Sequence, residues 1–425
     1  MKSKGFILAL VAIAGIVVLG AMYMSFQKNN RVQAETAKLP PIGEKEIDSS
    51  VWGKHYPRTY DSFLKGKETG VRTKYGGSDK YSKAEQQPEM KTLFAGYGFS
   101  EEYNEERSHF YALEDNSKIT PARRKAGAVC LYCKSPAIPG LLEKYGDDFG
   151  KFTYEEMYKQ VKFAIGCSDC HDPKDMSLRI TRPALVEALQ RIDKDWKLAS
   201  RQEMRSLVCA QCHVEYYFNK EKKVTFPWDK GWTADQMEEY YGNYQNSIHV
   251  DWTQPQSGTN LLKAQHPDYE FSQGGVHAAA GVACADCHMP YERIGNVKVT
   301  SHWWVSPTRT INKSCTQCHR EGEEWLLNRI HYYQDRNFEA LRRAGTLNVE
   351  AINEIEKSSK TAGVNPKILE EARALHRSSQ WRWDYMSAEN SMGFHNTQEG
   401  MKNLSKSIDL AHQAIAAARR ARGAE

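Results

Sequence analysis

Cys209-Ala210-Gln211-Cys212-His213 is one of five stretches in which two cysteines stand three positions apart. In four of the stretches the next residue is a histidine: His171, His213, His288 and His319. Two thiols that bond a porphyrin, followed by a histidine that binds its iron, form the attachment motif of haem c. All ten cysteines belong to such pairs, namely Cys130/Cys133, Cys167/Cys170, Cys209/Cys212, Cys284/Cys287 and Cys315/Cys318. The spacing therefore predicts a covalent haem c at each of the four pairs that a histidine follows.

Two other uses of paired cysteines fit this sequence less well. A disulfide framework is the usual use of many cysteines in an exported chain, but it gives the adjacent histidines no role. Zinc would gather two cysteine pairs into each four-ligand site, which leaves one of the five pairs over. Haem attachment is the interpretation that accounts for both the cysteines and the histidines.

The pair at Cys130 and Cys133 is followed by Lys134 instead of histidine. A redox dithiol or a lost haem site is the alternative to a fifth haem c. An amine binds iron only without its proton, so we expect burial against the haem to lower the pKa of Lys134. Because the axial ligand is a main determinant of haem reactivity, we expect this haem to be the catalytic one and the other four to carry electrons.

Haems that only transfer electrons usually have two strong axial ligands, so each of the four needs a second histidine. Ten histidines lie outside the attachment motifs, which is enough, although their spacing alone does not say which of them bind iron. They are His55, His109, His249, His266, His277, His302, His331, His376, His395 and His412.

The composition indicates a globular protein that is not specialised for nucleic acid. The chain of 425 residues is 40% hydrophobic and 26% charged, with a net charge of +5. A charge this small for the length does not suggest a nucleic-acid partner. Lys2 and Lys4 precede an apolar run, so residues 1–34 are either a signal peptide, cleaved after Val32-Gln33-Ala34, or a retained membrane anchor. In both cases the rest is exported, to the periplasm or the outer face of the cytoplasmic membrane.

The predicted fold class is mainly α: a compact multihaem cytochrome c body with long C-terminal helices and little β structure. Residues 35–320 should form the pentahaem catalytic body, with helix-like patterning at 201–213 and 233–244 and a hairpin at 291–299. In the same domain, residues 321–425 should form long helices at 321–344, 348–386 and 398–424. An apolar stripe on the last helix suits either packing within the chain or a homodimer interface; it consists of Met401, Leu404, Ile408, Ala411 and Ile415.

Five further segments are similar to those of a known haem-protein family: Arg107–Ala112, Cys209–Phe218, Leu262–Glu270, Gln380–Asp384 and Gly393–Gly400. With the five motifs, the first ending in lysine, they resemble the pentahaem cytochrome c nitrite reductases, which form ammonia. The resemblance covers about residues 90–410. It implies a six-electron reduction of nitrite to ammonium at a lysine-ligated haem, a homodimer packed through its C-terminal helices, and a membrane quinol-oxidising multihaem cytochrome or another electron donor.

The resemblance also implies roles for single residues. The catalytic ones are Lys134, Tyr216, His266 and an arginine between His109 and the first motif, for which Arg123 and Arg124 are available and Arg123 is favoured. Calcium would be held by Glu215, Tyr216, Lys263 and Gln265, partly through backbone carbonyls, which are the hard oxygen ligands calcium prefers. The second ligands would be His302 for the haem on Cys167/Cys170, His109 for Cys209/Cys212, His395 for Cys284/Cys287 and His277 for Cys315/Cys318.

Three other functions remain open at this point. A pure electron carrier would have five haems but no open iron. Another multihaem reductase or oxidase would act on hydroxylamine, sulfite or tetrathionate. A purely structural haem protein fits least well, because five closely spaced redox centres have an obvious use in electron transfer.

Overall fold

A computed structural model describes residues 2–36 and 38–424, without the side chains of residues 2–9, 28–36 and 78. Met1 and Glu425, the outer ends of the leader and of the C-terminal region, lie outside the described residues. The prediction of a mainly α fold is confirmed. The helices are α1 (Lys2–Thr36), α2 (Ser49–His55), α3 (Pro57–Leu64), α4 (Lys83–Gln86), α5 (Met90–Leu93), α6 (Ala112–Ser117), α7 (Pro121–Arg124), α8 (Ile138–Tyr145), α9 (Tyr154–Tyr158), α10 (Pro183–Arg191), α11 (Arg201–Leu207), α12 (Ala234–Gly242), α13 (Asp268–Gln273), α14 (Val276–Ala279), α15 (Cys284–His288), α16 (Ile311–Ser314), α17 (Glu323–Ser359), α18 (Pro366–Ala388) and α19 (Thr397–Ala421).

The strands within the described residues pair only as two-stranded antiparallel ladders, each with its neighbour in the chain. The predicted hairpin is present, and Gly295 in its turn has a φ of 64°, a conformation that glycine adopts without steric cost. The strands are β1 (Val71–Arg72), β2 (Gly77–Ser78), β3 (Tyr81–Ser82), β4 (Asn104–Glu105), β5 (Tyr217–Phe218), β6 (Val224–Thr225), β7 (Trp252–Thr253), β8 (Asn260–Leu261), β9 (Tyr291–Ile294) and β10 (Val297–Thr300).

Single turns of 3-10 helix connect many of these elements and contain residues of the haem motifs. Both helices predicted within the body form, and both begin with a capping box: Ser200 with Glu203 for α11, and Thr233 with Gln236 for α12. The 3-10 turns span Lys65–Lys67, Gly98–Ser100, His109–Tyr111, Gly127–Leu131, Gly146–Lys151, Cys167–Asp169, Trp196–Leu198, Pro307–Arg309 and Phe394–Asn396.

The prediction that the first long C-terminal helix ends at residue 344 was wrong. Helix α17 continues through Gly345 for 37 residues in total. A side chain at Gly345 would meet Glu89 and Trp383, since a Cβ there would lie 2.8 Å from Glu89 Cγ and 3.0 Å from Trp383 Nε1. The glycine is therefore a site of close packing and does not end the helix. The break comes before α18, which begins with Asn365 as its cap and Pro366 in its first turn.

The apolar stripe of α19 packs within the chain. Leu404 and Ala411 are fully buried and Ile415 is nearly so, while Met401 remains 38% exposed. Hydrogen bonds accompany this packing: Ser358 Oγ on α17 donates to Ala418 O at 2.6 Å, and Ser379 on α18 donates to Ser407 O at 2.7 Å. Of the two uses of the stripe, packing against α17 and α18 is the one seen in a single chain.

Helix α18 also fixes loops of the body in place. The carboxylate of Asp384 accepts hydrogen bonds from Lys263 Nζ and from the backbone N of Ala264, both at 2.8 Å. Trp381 Nε1 donates to Ala234 O at 2.8 Å, and Gln380 Nε2 donates to Leu93 O at 2.9 Å. The C-terminal helices are thus part of the same structural unit as the cysteine pairs.

The N-terminal helix α1 contains one segment, Leu10–Gln27, that is long and apolar enough to cross a membrane, with a mean hydropathy of 1.9. This segment is not buried against the rest of the chain. A cleaved signal and a retained anchor share these properties, so both interpretations of residues 1–34 stand.

Candidate catalytic site

All five cysteine pairs line one continuous cavity of about 1210 Å³. The residue after each pair lies on its wall as well, including Lys134 and the four motif histidines. The helices and turns that carry the motifs are short, and the hydrophobic core packs against the first of them, around Leu131 and Tyr132. A cavity of this extent, bordered by thiols and imidazoles, is suited to hold large flat cofactors that bond to cysteine.

Each motif histidine faces a second histidine across this cavity. Two imidazoles that bind one metal ion from opposite sides, at roughly 2 Å each, have ring centres about 6 Å apart. The partners are also those that the resemblance implies. The ring centres are separated by 6.1 Å for His171 and His302, 6.0 Å for His213 and His109, 6.2 Å for His288 and His395, and 6.3 Å for His319 and His277.

Most of these imidazoles are held neutral, the form in which a ring nitrogen can bind a metal. Burial lowers the pKa of His109 to about 3 and those of His288 and His302 to about 4. It also lowers the pKa values of His171, His277 and His395. Not every buried histidine has a nitrogen free for a metal. His376 is buried in the core between Thr259 and Gln380, which bond both of its ring nitrogens.

Lys134 forms an ion pair with Glu106, whose Oε2 lies 2.5 Å from Nζ. Burial lowers the pKa of this lysine, but the charge and hydrogen bond of Glu106 outweigh burial and raise the pKa overall. In the protein part alone, Glu106 therefore sets the direction of the shift, and loss of the proton against a bound haem stays a prediction. Nothing in the sequence singles out Glu106, which is placed to accept the proton that the amine must lose to bind a metal.

The two candidate arginines have different neighbours, and neither is among the described residues that line the cavity. The Arg123 guanidinium lies over the Phe99 ring at 4.2 Å, and its charge offsets part of the effect by which burial raises the pKa of Tyr216. Arg124 instead donates to Ser117 O at 2.5 Å and pairs with Glu155 at 3.3 Å. Of the two arginines, both in α7, the structure thus brings Arg123 close to the pair Cys130/Cys133.

His266 lies next to the haem motif at Cys209/Cys212. Its ring centre is 5.0 Å from that of His213, and the two rings meet edge to face. The Nδ1 atoms of both histidines approach the same oxygen of Asp268, at 3.0 Å for His266 and 3.4 Å for His213. Burial acts to raise the pKa of Asp268, but the hydrogen bonds from the two imidazoles hold it well below its usual range. Asp268 follows His266 by two positions, but nothing in the sequence alone indicates its contact with both histidines.

One of the four residues proposed for calcium, Glu215, has a buried carboxylate. Glu215 Oε2 accepts from the backbone N of Gln265 at 2.6 Å, and Oε1 accepts from Tyr241 at 3.0 Å. Burial and the nearby charge of Glu270 raise the pKa of Glu215 well above its usual range. Within the described residues, neither the Glu215 carboxylate nor the Glu270 carboxylate forms an ion pair with a basic side chain.

Lys263 contributes its backbone rather than its charge to this group. Its ammonium turns away to Asp384 and lies about 5 Å from three aromatic rings, those of Phe94, Phe99 and Tyr103. Its carbonyl accepts from Gln265 Nε2 at 3.4 Å, so this carbonyl and the Gln265 amide are adjacent. A buried carboxylate without an ion-pair partner, close to a backbone carbonyl, fits a calcium ion.

The chain is similar to known proteins in both sequence and structure. The family model described as cytochrome c552 matches residues 48–424. The chain is 40% identical to a cytochrome c-552 of Bacteroides fragilis, over 97% of this chain and 85% of that one. It is 38% identical to the cytochrome c nitrite reductase subunit NrfA of Nitratidesulfovibrio vulgaris, over 87% and 78%. Its structure resembles the nitrite reductase catalytic subunit of Desulfovibrio desulfuricans, described with two calcium sites, at a TM-score of 0.86 and 36% identity, over 90% and 88%.

Proposed function

Because the chain belongs to the cytochrome c552 family, whose relatives include cytochrome c nitrite reductases, we propose that it reduces nitrite to ammonium with six electrons. The observation that carries the proposal is one cavity in which a lysine-ended cysteine pair lies beside four pairs whose histidines face second histidines. An electron carrier would need no exceptional pair. A reductase needs one centre that binds the substrate and other centres that supply that centre with electrons.

The residues present fit the cofactors that this function requires. The ten cysteines, Lys134 and the four facing histidine pairs would hold five haem c groups. When bound, these groups supply electron transfer and one iron with a coordination position open to substrate. We assign calcium to Glu215, Tyr216, Lys263 and Gln265, where it would neutralise the buried carboxylate and fix the backbone that carries Tyr216 and His266.

The side chains around the lysine-ended pair then have different roles in catalysis. The guanidinium of Arg123 binds the oxygens of the nitrite anion and stabilises the negative charge that develops on them as the N–O bonds break. His266 delivers protons to those oxygens, because imidazole gains and loses protons near neutral pH. Tyr216 donates a hydrogen bond and stays protonated, since burial raises the pKa of its hydroxyl well above the usual range.

The cellular setting belongs to the same proposal. Residues 1–34 act as a signal or an anchor that brings the chain to the periplasm or the outer membrane face, where a quinol-oxidising multihaem cytochrome or another donor supplies electrons. Residues 35–320 form the pentahaem catalytic body, and 321–425 carry a homodimer interface. Exposed Tyr332 on α17 supports an interface there, because large aromatic side chains are enriched in such surfaces.

The direct test of function supplies purified, haem-loaded protein with reduced viologen and nitrite. We expect ammonium in a ratio of one per six electrons consumed. Release of nitric oxide, or oxidation of viologen without a nitrogen product, would contradict the proposal. Hydroxylamine and sulfite, tested alongside, show whether the site favours nitrite over other small oxygen-containing substrates.

Removal of calcium should weaken the fold and lower the activity. At a free calcium concentration about 100 times the Kd, the bound ion adds about 2.7 kcal/mol to the stability, so a chelator should lower Tm by several degrees. Calcium should restore Tm, whereas magnesium should not, because it demands shorter bonds and stricter octahedral geometry. Differential scanning calorimetry measures the effect.

Two variants act as controls for the calcium experiment. Glu215→Gln should start with the lower Tm and no longer respond to the chelator. Glu389→Gln removes a carboxylate that is as deeply buried but bonds Ser391 and Gly393, so its response should match that of the unmodified protein. A chelator effect as large in Glu215→Gln as in the unmodified protein would exclude this site.

A further inference from the structure

Asp268, at the start of α13, is held between two histidines with different tasks. Its Oδ2 lies 3.0 Å from His266 Nδ1 and 3.4 Å from His213 Nδ1. Asn390 fixes the carboxylate from the other side: its backbone N donates to Oδ1 at 2.7 Å and its Nδ2 donates to Oδ2 at 3.0 Å. The carboxylate is buried and has hydrogen-bond partners on both oxygens.

This arrangement decides which nitrogen of each imidazole is free. A carboxylate that accepts from Nδ1–H fixes the tautomer and leaves Nε2 with its lone pair outward. For His213 the free Nε2 is the atom that can bind iron. For His266 it is the atom that can meet the substrate. One carboxylate therefore orients a haem ligand and a catalytic proton donor at the same time.

A divalent cation is the other occupant that the distances would allow, since His213, His266 and Asp268 offer ligand atoms within 4.8 Å of one another. The contacts of Asn390 argue against a cation. Its Nδ2 donates to Oδ2, the same oxygen that both Nδ1 atoms approach. Three N–H groups around one oxygen account for its lone pairs without a cation.

We propose that Asp268 is a positioning residue shared by the haem on Cys209/Cys212 and by His266, and that it links electron supply and proton delivery through a single side chain. The part that concerns His266 rests on the proposed function; the part that concerns His213 does not. A carboxylate bonded to a ligating histidine makes the imidazole a stronger donor, which stabilises the oxidised metal.

The test compares Asp268→Asn with the unmodified holoenzyme. We expect the reduction potential of the haem on Cys209/Cys212 to shift upward, because its imidazole loses the carboxylate. We also expect kcat for nitrite to fall about 10- to 100-fold, the usual effect of removing a residue that orients a metal ligand. KM should change much less, because the nitrite-binding Arg123 is untouched. Spectroelectrochemistry and steady-state kinetics give the two readouts.

Two further variants keep the result decisive. Asp235→Asn makes the same change at a carboxylate that bonds Arg382 and Lys406 and is not among the described residues that line the cavity, so potential and kcat should stay within error. Asn390→Ala removes, from an exposed position, the side-chain amide that donates to Asp268 and lies 3.2 Å from His266 Nδ1, and it should shift both readouts in the same direction by a smaller amount. It replaces Asp268→Asn as the test if that variant does not retain five haems.

The outcomes separate this proposal from the proposed function. A variant whose haem potential is unchanged, or whose kcat is unchanged while the potential moves, overturns the shared role of Asp268. An unmodified protein that forms no ammonium overturns the proposed function instead, and the unmodified protein is measured in every series.

Discussion

Replacing Lys134 by histidine is expected to leave five haems attached and to lower the rate of ammonium formation at least 10-fold. Attachment depends on Cys130 and Cys133, which the substitution retains. The rate should fall because an imidazole replaces an amine as the axial ligand, and axial ligand identity sets the reactivity of a haem. Even groups that only support a ligand change activity by about 10- to 100-fold, so a change of the ligand itself should do no less.

The measurement combines mass spectrometry, which counts attached haems, with ammonium yield under reduced viologen. Lys125→His is the matched control, since Lys125 is an exposed lysine of the loop that precedes the same motif. Its rate should equal that of the unmodified protein. If Lys134→His reduces nitrite at an unchanged rate, the lysine ligand has no catalytic importance and the first cysteine pair loses its special role.

Substituting Arg123 by glutamine should lower kcat/KM for nitrite by about 100- to 1000-fold, the cost of removing one preorganised group that stabilises developing negative charge. Glutamine keeps much of the side chain's length and some hydrogen bonding but removes the charge, which isolates the electrostatic contribution. The contact with Phe99 holds the guanidinium in place, so the group is oriented before substrate arrives.

Arg124→Gln is the matched control for this experiment, because it removes the same charge from the adjacent position. Its guanidinium is engaged by Glu155 and Ser117, away from Tyr216, so its kcat/KM should stay close to that of the unmodified protein. The reverse result, with activity lost in Arg124→Gln and kept in Arg123→Gln, would transfer the anion-binding role to Arg124. Steady-state kinetics over a range of nitrite concentrations distinguish the two.

The cysteine pairs and their following residues could be read from the sequence because haem attachment is local chemistry: both thiols and the first ligand lie within five residues. The second ligands could not be derived from the chain in this way. His302 faces His171, and His395 faces His288, from distant segments. Ten histidines fitted the need equally well, and only the family resemblance selected among them.

The missed residues share one physical feature, which is that their roles come from contacts across the fold. Glu106 is unremarkable until it meets Lys134, and Asp268 until it lies between His213 and His266. The same reason explains the wrong helix end. A glycine inside a helical pattern indicates a break by its intrinsic preference, whereas close packing of Glu89 and Trp383 favours glycine at position 345.

The sequence by itself determined how many haems the chain can attach, which pair is exceptional, that the chain is mainly helical, and that its N-terminal apolar run suits a signal or an anchor. These properties depend on neighbouring residues and on helical periodicity. The tertiary structure alone decided that Arg123 lies by Phe99 while Arg124 pairs with Glu155, that Glu106 pairs with Lys134, and that Asp268 contacts two histidines. Each of these depends on side chains brought together by folding, and hydrogen bonds and charges act only over the short distances that folding creates.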